Sequence, residues 1–255
     1  MPDVHIIKIG GKIIGDPILM DHFIDAFVAI KGFKVLVHGG GKKASEIMNK
    51  MHIPVKMYEG RRITDAETLE ITTMVYAGLL NKQITADLQK KGVDSIGLTG
   101  ADLNLIRSKK RPVGEIDFGF VGDIEEVDGQ KIQALLDLGM TPVFCAITHD
   151  LQGQLLNTNA DTVASKIAIE LSKTFNTHLS YCFEFQGVID GSSSPSRLIP
   201  TIKLEQFEEL KQQGIIKDGM IPKVFNALTS SKNGVKYVYI RGIQELISNT
   251  GTRLI

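Results

Sequence analysis

Residues Val35 to Glu46 read VLVHGGGKKASE. An apolar run ends at His38, three glycines follow, and a polar stretch with helical character begins just past Gly41. Strand, tight turn and helix in that order form the unit from which parallel α/β sheets are built. Glycines carry no side chain, so a ligand can approach bare backbone N–H groups. A helix N-terminus behind them adds a partial positive charge. The stretch therefore suits a phosphate, a carboxylate or an anion that develops during a reaction.

Two other glycine motifs compete for these residues. A P-loop requires G-x-x-x-x-G-K-[ST]. Lys42 follows Gly41, but Lys43 stands where a hydroxyl is needed and Leu36 where the first glycine is needed. A dinucleotide fingerprint fits better, because Gly39-x-Gly41-x-x-Ala44 follows a strand and opens a helix. It then predicts an acidic ribose partner about 20 residues on. Glu59 is near that distance but sits in the turn-like stretch YEGRR, and the fingerprint follows the second strand rather than the first.

Outward from this stretch, apolar β-branched runs alternate with amphipathic ones. HIIKIG (5–10) reads as a buried strand, and Asp16-Pro17 as an N-cap with proline at the first helical position. Thr64-Asp65-Ala66-Glu67 has capping-box form and opens a long helix to about Lys91. Strands are expected at 95–99, 141–147, 178–183 and 235–241, and a strand and turn at 120–130. Helices are expected at 131–138, 160–172, 204–213 and 222–231. Asp190–Ser196 and Asp218-Gly219 read as loop and turn. Strands separated by helix-length segments predict a mostly parallel sheet with helices on both faces.

Three further clusters carry chemistry. Lys8-Ile9-Gly10-Gly11-Lys12 repeats the glycine turn at the end of the first strand, where open α/β sheets bind ligands. A lysine inside an apolar strand is costly to bury unpaired, so Lys8 is expected to serve an anion. In LLNTNADTVASK (155–166), Asn157, Asn159 and Asp161 alternate and share one face of an extended segment. Such a set suits the polar groups of a small substrate and the orientation of a lysine. In GIIKDGMIPKV (214–224), Lys223 falls in the first turn of a helix, where a cation opposes the helix dipole unless an anion joins it.

The chain of 255 residues balances 29 basic against 29 acidic residues and is 43% hydrophobic. Nothing in that composition predicts a nucleic-acid or membrane surface. No run approaches the roughly 18 apolar residues of a membrane span, and the N-terminus lacks a signal-peptide pattern; a cytoplasmic protein is expected. Cys145 and Cys182 lie in strand-like runs and make neither a zinc spacing nor a disulfide framework. They read as small buried hydrophobes.

KIGG (8–11), VHGGG (37–41), GRRIT (60–64), NTNAD (157–161) and GIIKDGM..K (214–223), in this order and nearly end to end, resemble the amino acid kinase family. The resemblance implies an αβα sandwich with a central, mainly parallel sheet: one domain, 1–255, with lobes of approximately 1–172 for an N-acyl-L-glutamate and 173–255 for the nucleotide. It implies transfer of the γ-phosphoryl group of ATP, with Mg2+, to the side-chain carboxylate of the acylglutamate, on the route to arginine. Lys8 and Lys223 would neutralise charge on the transferring group and Asp161 would hold both lysines. Gly10 and Gly11 would bind phosphate. Gly40, Gly41, Arg62, Asn157 and Asn159 would bind the substrate, Arg62 with the planar fork that suits a carboxylate. No residue is assigned to a metal.

Two departures accompany the resemblance. The family's Thr/Ser-Asp-Val-x-Gly-Val strand end appears as LSYCFEFQGVID (179–190), which keeps Gly187-Val188 but places Tyr181-Cys182-Phe183 where the aspartate is expected. No nucleotide role is assigned to Tyr181 or Glu184. Arginine-inhibited hexameric members carry an extra helix before the first strand; here four residues precede it, which implies a homodimer without arginine feedback. The alternatives are an N-succinylated acceptor, another acceptor used within the family, an NAD-binding oxidoreductase, and a non-catalytic ligand sensor.

Overall fold

The computed structural model describes residues 1–191, 196–217 and 219–255. The centre of the loop expected at 190–196 and Asp218 of the turn expected at 218–219 lie outside these. The elements used below are, in chain order, β1 (Asp3–Ile9), α1 (Pro17–Ala29), β2 (Phe33–His38), α2 (Gly41–Lys50) and α3 (Ala66–Thr73). A π-helical segment, Met74–Leu80, leads into α4 (Asn81–Lys90). Then come β3 (Ser95–Leu98), β4 (Ile106–Lys110), β5 (Gly122–Val127), α5 (Gly129–Asp137), β6 (Thr141–Cys145), β7 (Ile147–His149) and β8 (Leu155–Asn157). The last third contributes α6 (Ala160–Leu171), β9 (Asn176–Cys182), α7 (Met220–Lys232), β10 (Tyr237–Arg241), α8 (Ile243–Ser248) and β11 (Thr252–Leu254).

The fold is mixed α/β with a large, mainly parallel sheet. It divides into two compact units, Met1–Val35 with Ala164–Ile255, and Leu36–Val163. The division differs from the lobes expected near residue 172, because parallel pairing decides it. β1 runs beside β9 from Asp3↔Asn176 to Ile9↔Cys182, so the first residues belong with the last third of the chain.

In the first unit, β9 lies between β1 and β10, all parallel; β11 follows antiparallel to β10, and Thr201–Ile202 pairs with it in parallel at the edge. Residues of both parities on β1 are buried, Ile6 at 0% and Ile7 at 1% exposed. A strand apolar on both faces requires cover on both. α7 packs on β9 and β10, while α1 and α8 pack together. Phe23, Phe27, Leu179, Leu228 and Ile240 fill the core, each contributing roughly 1.5–3 kcal/mol by leaving water. Asp16 caps α1 as expected, its carboxylate accepting from Ile18 N and Leu19 N.

In the second unit, β6 pairs in parallel with both β2 and β3. A second sheet runs β8, β7, β4, β5, with antiparallel hairpins at either end. The cap of α3 is Asp65, not Thr64: its carboxylate accepts from Thr68 N at 3.0 Å. The long helix expected to Lys91 runs to Lys90 but is interrupted by the π segment. Wider turns of this kind often mark functional positions. Among the described residues no helix is long and apolar enough to cross a membrane. Both cysteines are buried and free, and burial pushes each thiol up to about 12. They are unreactive fillers at neutral pH.

Candidate functional site

In the second unit the glycine run connects the end of β2 to α2, with Gly40 as N-cap. The first internal bond of that helix runs from Ala44 N to Gly40 O at 2.9 Å, so the N–H groups just before it belong to the helix's open end. The three glycines are not equivalent. A Cβ on Gly40 would lie 2.5 Å from Tyr76 Cδ1 and 2.7 Å from Leu80 Cδ1, both on the π segment. Packing alone excludes a side chain there. At Gly39 an added Cβ meets only Ala160 Cβ at 3.6 Å, and at Gly41 only Tyr76 Oη at 3.7 Å and Arg62 Nη2 at 3.9 Å. Neither has a left-handed backbone. Packing does not demand glycine at these two positions, whereas close approach of a ligand to backbone would.

Arg62 is buried against this turn. Its Nη2 donates to Gly41 O at 2.9 Å and to Ser45 Oγ at 2.6 Å, and Nη1 faces Met48 Sδ at 3.4 Å. A guanidinium held on one edge by neutral acceptors keeps its charge and its remaining donors for an anion. Tyr76 is also buried, which raises its phenol above the usual range, while the nearby Arg62 charge opposes the shift. Two residues after Arg62, Thr64 Oγ1 accepts from Asn157 Nδ2 at 3.0 Å, and Thr64 N and O bond to Phe118 O and Phe120 N. Gly40, Gly41, Arg62 and Asn157, dispersed over more than a hundred residues, are thus tied into one hydrogen-bonded region of this unit.

Asn159 serves as the cap of α6, its Oδ1 accepting from Asp161 N at 2.8 Å and Thr162 N at 3.1 Å. Its carbonyl oxygen is therefore engaged, and its amide N–H groups remain the part suited to a ligand. Asp161, 5% exposed, lies in the first turn of that helix, where a carboxylate complements the dipole.

In the first unit, Lys8 is 8% exposed on β1, beside the fully buried Tyr181 in the sheet register. Gly10 N donates to Cys182 O at 3.0 Å, which fixes the glycine turn at the end of β9. A Cβ on Gly10 would meet only Cys182 O at 3.6 Å and Phe183 Cβ at 3.7 Å, so this glycine too is not imposed by packing. Gly11 opens the short helix Gly11–Ile14. Lys223, half-buried in the first turn of α7, donates to Gly219 O at 3.1 Å. In the unusual 179–190 stretch, Tyr181 and Cys182 are core residues of β9, and Glu184 pairs with Lys12 at 3.3 Å.

Sequence reading missed Ser45, Tyr76, His38 and Asn81. His38 and Asn81 are 0% and 1% exposed, joined at 3.1 Å between Asn81 Nδ2 and His38 Nε2. The available signal was a polar pair, Asn81-Lys82, opening a helix segment directly after the apolar stretch MVYAGLL.

The profile of the amino acid kinase family matches residues 3–242. An acetylglutamate kinase of Parabacteroides distasonis is 48% identical over 254 residues, covering 100% of both chains. An acetylglutamate kinase of Cytophaga hutchinsonii is 47% identical over 262 aligned positions, covering 100% of this chain and 99% of that one. Among solved structures, smu.665 from Streptococcus mutans superposes with a TM-score of 0.80 at 24% identity, covering 98% of each chain, a likeness of fold.

Proposed function

This chain belongs to the amino acid kinase family, and from that membership we propose that it phosphorylates the side-chain carboxylate of N-acetyl-L-glutamate with ATP, in arginine biosynthesis. Full-length relatives carrying the name acetylglutamate kinase support the acceptor. The structural observation that carries the proposal is Arg62, buried beside the glycine turn and anchored to Gly41 O and Ser45 Oγ. A guanidinium so placed suits a carboxylate of the acceptor.

A carboxylate oxygen of the acceptor attacks the γ-phosphorus, the bond from that phosphorus to the β,γ-bridging oxygen breaks, and ADP leaves with the electron pair. A glutamate side chain is ionised at neutral pH, so no general base is needed. The protein's work is placement and charge stabilisation. Lys8 and Lys223 neutralise charge on the transferring group, with Asp161 as their counter-charge. Gly11 offers backbone N–H to phosphate oxygens, Gly10, whose own N–H is taken by Cys182 O, leaves room for them by lacking a side chain, and Gly40 and Gly41 offer N–H to the acceptor and the group it receives. Asn157 and Asn159 bind the acceptor's other polar groups. The acylglutamate is assigned to Leu36–Val163 and the nucleotide to the unit of Met1–Val35 with Ala164–Ile255. Mg2+ would be held chiefly by the nucleotide's phosphate oxygens, with few protein ligands, and would screen the charge on the phosphates. Among the described residues no group of three or more His, Cys, Asp or Glu side chains is arranged to hold a metal.

The enzyme is proposed to be cytoplasmic and to act as a homodimer. Exposed Met51, Met57, Met74 and Leu79 in the second unit supply apolar surface that assembly would cover. Sedimentation at micromolar concentration tests the dimer. The reaction is tested by ADP release with Mg-ATP and, separately, N-acetyl-L-glutamate, N-succinyl-L-glutamate and glutamate. Turnover with the acetylated acceptor is expected. Turnover with the succinylated one alone would reassign the acyl group, and turnover with none would overturn the proposal.

A further inference from the structure

His38 closes β2 directly before the glycine turn, and its ring is fully buried. Two bonds define its protonation. Asn81 Nδ2 lies 2.9 Å from Val143 O, an atom that can only accept, which identifies Nδ2 as the donor end of the amide. The same Nδ2 lies 3.1 Å from His38 Nε2, so Nε2 must accept. An imidazole that accepts at Nε2 carries its proton on Nδ1. That proton points at Gly39 O, 2.7 Å away. Asn81 therefore selects the tautomer and His38 delivers the donor.

The carbonyl that receives this bond belongs to the same peptide unit as Gly40 N–H. A trans peptide is planar, and its C=O and N–H point in opposite directions. Fixing Gly39 O on one side fixes the direction of Gly40 N–H on the other. We propose that His38 and Asn81 are positioning residues: the pair aims the Gly40 amide of the cradle, and the Nδ1–H tautomer is required for it. The proposal rests on reading Gly40 and Gly41 as that cradle.

The surroundings are built for the pair. Asn81 is the first residue of α4, immediately after the π segment whose Tyr76 and Leu80 wall Gly40. On β3, Gly97 leaves free the space that Asn81 Oδ1 fills. Lys82 Nζ donates to Gly97 O at 2.8 Å and to Asn81 Oδ1 at 3.2 Å. The start of the helix is thereby bolted to the sheet, and the amide cannot flip without losing the bond to Val143 O.

Two substitutions separate aiming from mere filling of a buried site. In His38→Asn the amide nitrogen takes roughly the place of Nδ1 and can still donate to Gly39 O. In His38→Gln it takes roughly the place of Nε2 and cannot. Losing an aimed backbone donor lowers turnover by about a hundredfold. His38→Gln is therefore expected to lose about tenfold to a hundredfold in kcat, with His38→Asn recovering most of it at a similar melting temperature. If the two variants lose activity in proportion to their loss of thermal stability, the aiming role is overturned. A second readout does not depend on turnover. Imidazole 15N shifts should show His38 protonated at Nδ1 in the wild type and a mixture of tautomers in Asn81→Leu; a wild-type Nε2–H form overturns the proposal. Wild-type protein inactive on every acylglutamate would overturn the proposed function and the aiming role with it, while the shifts would still report the tautomer.

Discussion

Replacing Gly40 by alanine adds one methyl group where Tyr76 Cδ1, Leu80 Cδ1 and Tyr76 Cε1 would stand 2.5, 2.7 and 2.8 Å away. Ordinary carbon contacts need about 3.5–4.0 Å, so the ring or the turn must move by roughly 1 Å. Tyr76 is 5% exposed and Leu80 9%, so neither can swing into solvent. Overpacking a buried site costs about 1–3 kcal/mol. In a chain of this size about 2 kcal/mol lowers Tm by roughly 4–8 °C. Whatever shift of the turn remains displaces the cradle, and a displacement of about 1 Å can cost on the order of a hundredfold in rate. Gly41→Ala is the control, because its methyl group would meet nothing closer than 3.7 Å. It should melt within about 1–2 °C of the wild type, since a substitution without a steric conflict costs no more than about 0.5 kcal/mol, yet still lose turnover if ligand approaches that backbone. Differential scanning fluorimetry and ADP release on the two variants check both halves. Equal melting temperatures for the two variants would refute the packing argument. Full activity in Gly41→Ala would refute the cradle.

Three other perturbations follow from the same geometry. Arg62→Lys keeps the charge but loses the planar guanidinium whose Nη2 is anchored to both Gly41 O and Ser45 Oγ; KM for the acylglutamate should rise about tenfold or more with KM for ATP little changed, and equal rises would remove Arg62 from the acceptor. Lys8→Ala should lower kcat by about a hundredfold or more while circular dichroism stays native; unchanged turnover would end its catalytic assignment. His5, stacked on His178 with ring centroids 4.5 Å apart, is held down at about 4, first by burial and then by the His178 and Arg241 charges, with Asp3 opposing and Lys34 adding a little. His178, stacked in turn on Tyr237, is lowered too, chiefly by burial. The folded state thus refuses protons that the unfolded chain binds below the ordinary histidine value of 6.5. Stability is full above that pH and is lost as pH falls toward about 4, by on the order of 2 kcal/mol from His5 after allowance for its partial exposure. Urea midpoints against pH, with His5→Phe flattening the slope, check it; an unchanged slope would clear His5.

Much of the fold was legible because parallel strands buried on both faces leave unbroken apolar runs, as in HIIKIG and LVH, with glycine or capping signals at their ends. The second sheet was less so: β4 reads IRSKK, short and mostly polar, and pairing with β5 and β7 makes it a strand. The π segment was invisible, since MVYAGLL carries the same periodicity as an ordinary helix. Of the proposed site, the glycines, Lys8 and Asp161 stood out by residue type, and Arg62 only through the family resemblance. Asn159 is also the cap of α6, a role its residue type does not separate from ligand binding and that its bonds to Asp161 N and Thr162 N reveal. His38 escaped notice because its meaning lies in Asn81, 43 positions away in the chain.

The pairing of β1 with β9 also sets the order in which the chain can acquire its structure during synthesis. Leu36–Val163 is one uninterrupted segment and holds its own strands and helices. The first strand, by contrast, gains its neighbour on one side only when Asn176–Cys182 emerges. At about 5–20 residues per second on the ribosome, that wait is on the order of ten seconds or more. Through it, DVHIIKI is an apolar strand with one edge open, the kind of segment that recruits other nascent chains. Lys8 interrupts that run with a charge, so a residue proposed for phosphoryl transfer also blunts the segment's tendency to aggregate before its partner arrives.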